Sequence, residues 1–243
     1  MLHHAVYSGT RNLYPDMLPA MKSLVANSKV TDIWLLLEDD EYPYEVPEFV
    51  HVVNVANQPW FPQNGPNMKS QFTYMAMIRA CYPEIFPDLD RVLQLDVDTV
   101  CVDDVDYLFD VDVSGKWIAC AREYLGTYDP YKHGEYYNVG VAVLNLAQMR
   151  EDNAQPKLVG AINAERMWCV EQDAFNKLAF PTRIAEIPTR YNECFVTGYS
   201  EEPAIVHFAG VQDWQGNVKL PRREYIRKYR EMTWEQAMEL HHG

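Results

Sequence analysis

The sequence predicts an α/β domain built on a mixed, mostly parallel central sheet. Three observations carry this. Residues 31–37 form an apolar run without alternation (Ile33, Trp34, Leu35, Leu36, Leu37), as strands buried on both faces of a parallel sheet do. The opening elements read strand, helix, strand, strand, the order expected of such domains. The apolar run 91–100 delivers two carboxylates, Asp96 and Asp98, toward its far end, and in open α/β sheets that is where ligands bind.

Taken in order, residues 4–7 read as a first strand stopped by Ser8-Gly9. A helix is predicted over 15–26, with Leu18, Met21, Leu24 and Val25 on one face. The strand at 31–37 is followed by another at 50–55. Residues 57–69 gather Pro59, Pro62, Gly65 and Pro66 around Trp60 and Phe61, a loop able to cover a ligand. A helix follows over 71–81, closed by Pro83, and then the acidic run. Strands are predicted at 117–121 and 137–145, separated by a tyrosine-rich stretch (Tyr124, Tyr128, Tyr131, Tyr136, Tyr137) whose rings suit sugar faces or loop packing equally. No internal repeat, low-complexity segment or clear linker interrupts the chain. Residues 1–218 are therefore expected to form one domain, and 219–243 a basic, amphipathic helical extension.

The 243 residues can bury one large core, and 48% hydrophobic with 13% aromatic content suits a globular, ligand-handling chain. No apolar run reaches the roughly 18 residues that span a bilayer, and residues 1–7 lack a signal-peptide pattern. Five cysteines without close paired spacing argue for reduced thiols in a cytoplasm and against a zinc cluster. A formal net charge of −14 opposes nucleic acid as partner. Against that trend, Lys219, Arg222, Arg223, Arg227, Lys228 and Arg230 cluster with Tyr225, Ile226 and Tyr229 at helical spacing. Such a helix could touch an anionic membrane weakly, at its inner face, or be the solvated side of a terminal helix packed on an acidic body.

The chemistry starts from Asp96-Val97-Asp98. At period two on a strand both acids project to one side, and repelling carboxylates call for a divalent cation with oxygen ligands. Two solvated acids at a strand end are the alternative. His207, in the strand 205–210, could complete an Asp, Asp, His set for Mn²⁺ or a similar ion. Ser8-Gly9-Thr10 could admit a nucleotide near the backbone, although its spacing matches no phosphate loop. Asn138 and Gly140 stand in an apolar strand, through close approach of a ligand or as an ordinary buried amide. Glu171 and Asp173 suit the first turn of a helix. Asp-x-Asp-x-Thr also fits haloacid-dehalogenase-type phosphatases, with Asp96 as nucleophile. There the motif follows the first core strand, whereas several elements precede it here.

In family order, the segments 5–9, 88–99 (Asp88 to Thr99), 137–141 (Tyr137-Asn138-Val139-Gly140-Val141), 171–176 (Glu171 to Asn176), 190–192 and 207–210 resemble glycosyltransferase family 8, the glycogenin and bacterial lipopolysaccharide galactosyl- and glucosyltransferase family. The resemblance implies a single GT-A type, Rossmann-like domain and retaining transfer of a hexose from a UDP-sugar to a glycan or lipid-linked acceptor, with Mn²⁺ or Mg²⁺. It implies that Asp96, Asp98 and His207 hold the metal, and that Tyr7, Ser8, Gly9 and Tyr14 lie at the nucleoside. Arg79, Val97, Asn138, Gly140 and Gly210 fall at donor-contacting positions. Glu171 matches an acid that binds sugar hydroxyls, Gln172 the residue nearest the anomeric carbon, and Asp173 the acid beside it. Two departures stand out. The family's Lys-Pro after the metal histidine is missing from Gly210-Val211-Gln212-Asp213-Trp214, leaving Lys219 as a substitute or the chain as a non-catalytic nucleotide-sugar binder. Thr10 and Arg11 stand where an Asp is frequent.

Overall fold

A computed structural model describes residues 3–124, 135–210 and 222–242. Its strands are β1 (His4–Ser8), β2 (Asp32–Leu37), β3 (Val50–Asn54), β4 (Arg91–Leu95), β5 (Thr99–Cys101), β6 (Ile118–Arg122), β7 (Tyr137–Asn145), β8 (Ile184–Glu186) and β9 (Ile205–His207). Its α-helices are α1 (Tyr14–Ala26), α2 (Met75–Ile78), α3 (Tyr82–Ile85), α4 (Tyr107–Asp110), α5 (Leu146–Glu151), α6 (Ala154–Ala164), α7 (Glu171–Ala179), α8 (Arg223–Glu231) and α9 (Trp234–His242).

Seven strands form one sheet in the order β3-β2-β1-β4-β7-β6-β8, and β5 pairs with β9 in a second, two-stranded sheet. Neighbours within β3-β2-β1-β4 run parallel, as do β6 and β8, while β7 is antiparallel to both β4 and β6. The predicted mixed, mostly parallel α/β sheet is therefore present. Apolar side chains cover both faces. Leu35 and Leu37 pack with Leu93, Leu95 and α1 on one side, and Leu36 packs with Val92, Leu144 and Phe175 on the other. This is why β2 shows no alternation.

Because β7 runs against β4, its amino-terminal half lies beside the carboxyl end of β4, with Leu95 opposite Val141. Here β7 also bulges. Its register with β6 jumps between Cys120↔Ala142 and Ala121↔Asn138. The bulge leaves Val139 and Gly140 outside the β6 ladder, so their backbone groups are available to other partners.

Two predicted elements differ. Residues 91–100 are two strands joined by a turn at Asp96–Asp98, consistent with the poor fit of acids to strand interiors. The helix predicted over 71–81 begins at Met75, tightens into a 3₁₀ turn over Arg79–Cys81 and continues as α3. Pro83 does not close it, because it occupies the first turn of α3, where a missing N–H costs nothing. At the far end of the chain, Ile226, Tyr229 and Ala237 join the core beside α1, and Lys22 Nζ donates to the Met232 carbonyl at 2.7 Å. The apolar side of the basic segment thus packs on the body. All five cysteines are unpaired, and no helix among the described residues is long and apolar enough to cross a membrane.

Candidate active site

The turn after β4 brings the two acids together. Asp96 N donates to Gly140 O at 2.7 Å, and Thr99 returns its N–H and hydroxyl to Asp96 O at 3.2 and 2.7 Å. A turn, rather than strand alternation, converges the carboxylates. The antiparallel β5–β9 pair then sets Thr99 opposite His207. His207 Nε2 lies 3.3 Å from Asp98 Oδ1 and 3.7 Å from Asp96 Oδ2. One ligand atom from each of Asp96, Asp98 and His207 falls within 4.8 Å of the others.

His207 Nδ1 donates to Asn192 Oδ1 at 2.8 Å, which turns Nε2 toward the acids. Burial opposes a charge on this ring, yet Asp98 overrides it and raises the His207 pKa well above its usual value. Burial likewise pushes the Asp98 carboxyl up, but His207 brings it to a net position below the usual carboxylate range. Asp98 and the His207 ring thus stabilise each other as a pair. Two carboxylate oxygens and one imidazole nitrogen suit a divalent metal ion, and the residues fit one.

Arg79 is buried behind Asp96. Its Nη2 donates to Asp96 Oδ1 at 2.6 Å, its Nη1 to Val139 O at 2.7 Å, and its Nε stands 3.4 Å from Glu171 Oε1. Burial disfavours the guanidinium charge, but Asp96 and Glu171 outweigh it and raise its pKa. Burial pushes Glu171 up to about 7 despite the pull of Arg79.

The bulged residues of β7 turn their backbone to this site. Val139 O takes Arg79, Gly140 O takes the Asp96 amide, and Val139 N donates to Gln172 Oε1 at 3.1 Å. A Cβ on Gly140 would meet His207 Cε1 at 2.2 Å and Asp96 Oδ2 at 2.8 Å. The missing side chain therefore admits the histidine and the aspartate. Asn138 is buried and hydrogen-bonded: its Oδ1 accepts from Gly140 N and Asn192 Nδ2, and its Nδ2 donates to Glu123.

At the start of α7, Glu171 meets Arg79 and Gln172 reaches Val139 and Glu123. Asp173 instead accepts from the Trp168 and Cys169 amides at 2.9 and 3.1 Å and from the Tyr136 hydroxyl, fastening the approach to the helix. Val170, at φ +48°, is the strained residue that this fastening holds.

Tyr7 is fully buried, its hydroxyl on the Ala20 carbonyl at 3.3 Å, so its side chain packs in the core under α1. Ser8 sits two residues beyond the Val6↔Gln94 pairing, level with the acidic turn, and its hydroxyl donates to Met75 O at 3.4 Å. A Cβ on Gly9 would lie 2.6 Å from Met17 Cε, the tip of a flexible side chain that can give way. Tyr14 donates to Asp39 at 3.0 Å and accepts from Glu38 N at 3.0 Å, ordering the end of β2. Val97 is buried within the turn, and Gly210 adopts φ +70°, which favours glycine. Lys219, Val211 to Trp214, and Tyr128 and Tyr131 lie outside the described residues.

Sequence reasoning missed Asn192 as the partner of His207, and Glu123 altogether. Asn192 lies in the family-like segment 190–192, which does not reveal its partner, and Glu123 sits in no distinguishing pattern.

Comparison with known proteins agrees with this geometry. Residues 41–216 match the model of glycosyl transferase family 8. The chain is 25% identical over 194 residues to general stress protein A of Bacillus subtilis, covering 68% of this chain and 67% of that protein. It is 24% identical over 205 residues to glycosyltransferase GlyE of Streptococcus pneumoniae, covering 80% of this chain but only 48% of GlyE. Among solved structures, the galactosyltransferase LgtC in complex with donor and acceptor sugar analogs superposes with a TM-score of 0.73 at 18% identity, over 93% of this chain and 95% of that one. GlyE superposes with a TM-score of 0.74 at 20% identity, over 98% of this chain and 62% of its own. These neighbours share the GT-A type fold.

Proposed function

Because this chain belongs to glycosyl transferase family 8, we propose that it moves a hexose, with retention of configuration, from a UDP-sugar to a hydroxyl of a glycan acceptor, lipid-linked glycans included. The observation that carries this is the convergence of Asp96, Asp98 and His207 at the carboxyl end of β4, with Arg79 behind them. These three residues would hold Mn²⁺, or Mg²⁺. Bound there, the ion acts as a Lewis acid on the diphosphate that leaves.

The chain's own residues would do the rest. His207, fixed by Asn192, presents Nε2, and Arg79 keeps Asp96 oriented. Gln172, tied at both ends of its amide, would face the anomeric carbon and stabilise its growing positive charge. With no free carboxylate nucleophile among the described residues in this reading, the acceptor hydroxyl attacks from the side of the leaving group, and the departing phosphate oxygen takes its proton. A double displacement ranks below this, because Glu171 is engaged by Arg79 and Asp173 by two amides and Tyr136. Tyr14, Ser8 and Gly9 would border the nucleoside through the loop they order. A cytoplasmic location belongs to the same proposal.

The phosphatase alternative is set aside, since the family is one of glycosyltransferases and Asp96 is bound by Arg79 rather than free to attack. The run after Gly210, without Lys-Pro, supports a second reading as a UDP-sugar binder without turnover. One experiment separates them: UDP release across a panel of UDP-, GDP- and CMP-sugars, with Mn²⁺ and with chelator. Metal-dependent release from one UDP-sugar supports the transferase. Metal-dependent UDP binding without release supports the binder, and silence in both assays refutes both.

A further inference from the structure

Glu123 lies just beyond β6, and its carboxylate joins two parts of the site. Its Oε1 accepts from Gln172 Nε2 at 3.2 Å and from Asn138 Nδ2 at 3.1 Å. From Asn138 the chain of bonds continues through Oδ1 to Asn192 Nδ2 at 2.9 Å, and through Asn192 Oδ1 to His207 Nδ1 at 2.8 Å. Gln172 is held at its other end by the Val139 amide. An amide side chain is nearly symmetric in shape, so packing alone does not decide which end faces which way; its partners do. The Val139 N–H demands an oxygen and Glu123 demands an N–H, and together they permit one orientation.

We propose that Glu123 is a positioning residue for sugar transfer: it fixes the Gln172 amide and couples it, through Asn138 and Asn192, to the metal-facing histidine. The inference rests on the reading of Gln172 as the group at the reacting carbon. Asn138 follows as the splice between the two branches, which accounts for a polar amide inside an apolar strand.

The test uses the intact chain and two substitutions. Glu123→Gln keeps an acceptor oxygen, whereas Glu123→Leu removes it at similar size. The first readout is hydrogen exchange of the Gln172 side-chain amide by NMR, assigned through its loss in Gln172→Glu. Loss of a hydrogen bond to a charged group speeds exchange about tenfold or more, so E123L is expected to exchange that much faster and E123Q to stay near the parent. The second is turnover against binding. E123L is expected to lower UDP release from the UDP-sugar by about 10- to 100-fold, the usual cost of losing an outer-shell partner, with the Kd for UDP in Mn²⁺ unchanged. Unaltered Gln172 exchange in E123L overturns the proposal. So does an equal loss of UDP binding, which would mark a merely structural role, and so does failure of E123Q to restore turnover. If the parent releases UDP from no donor, the transferase reading falls, while the exchange measurement still decides whether Glu123 positions Gln172.

Discussion

Gly140 leaves room for His207 at a separation no side chain could share: a Cβ would stand 2.2 Å from the ring's Cε1. Backbone of β7 and the imidazole approach each other directly, so even a methyl must displace the ring or the strand. Gly140→Ala is expected to weaken Mn²⁺-dependent UDP binding by at least about tenfold and to lower stability by about 1–3 kcal/mol through overpacking. Calorimetric titration of UDP and a urea melt read the two effects. An alanine variant that binds like the parent would mean that His207 does not face the ion.

Asp98→Ala and His207→Ala address the ion itself. In the parent, UDP at a hundred times its Kd should stabilise the fold by about 2.7 kcal/mol, and only with Mn²⁺ present. Either variant should lose most of that upshift in a thermal melt. Equal shifts in parent and variants would remove the metal assignment.

Ion binding should release a proton. Burial opposes the His207 charge, but Asp98 raises its pKa well above the ordinary histidine value, so the metal-free ring holds its proton more tightly than an ordinary histidine. A cation needs the neutral ring. Mn²⁺ affinity should therefore rise with pH, by up to about tenfold per unit, until the proton is gone. Calorimetry in two buffers of different ionisation enthalpy measures the released proton directly. Identical heats in both would exclude imidazole as a ligand.

Glu171 supplies a pH-dependent stability with a definite sign. Burial raises its carboxyl from 4.5 to about 7. The folded state thus binds the proton more tightly than the unfolded one, and between those values stability falls as pH rises. The loss is on the order of 3 kcal/mol by pH 8. Glu171→Gln, in metal-free protein, should gain on the parent by that amount between pH 4.5 and pH 8. A difference between the two proteins that stays constant over this range would show that Glu171 ionises normally.

Much of this architecture was legible from sequence, for identifiable reasons. β2 and β7 are buried on both faces, so their apolar runs mark them, and residues 137–145 match β7 end to end. Asp96, Asp98 and His207 stood out because acids and an isolated histidine sit poorly beside apolar strands. Helix α6 escaped notice because Pro156 and Gly160 depress its helix propensity, and β8, at three residues, is too short for any period to register. The turn at Asp96–Asp98 was concealed by Val97 within it and by Leu95 and Val100 around it. Glu123 and Asn192 act through partners 15 to 54 residues away, and local sequence carries no trace of such pairings.

The guanidinium of Arg79 clasps the end of β4, the bulge of β7 and the first turn of α7 at once. Asp96 is consequently tethered as the chain folds, and its rotamer freedom is already gone when an ion arrives. Readiness of this kind also makes the three attachments inseparable. Lysine at this position, a single ammonium without the planar fork, would slacken strand, bulge and helix in one step.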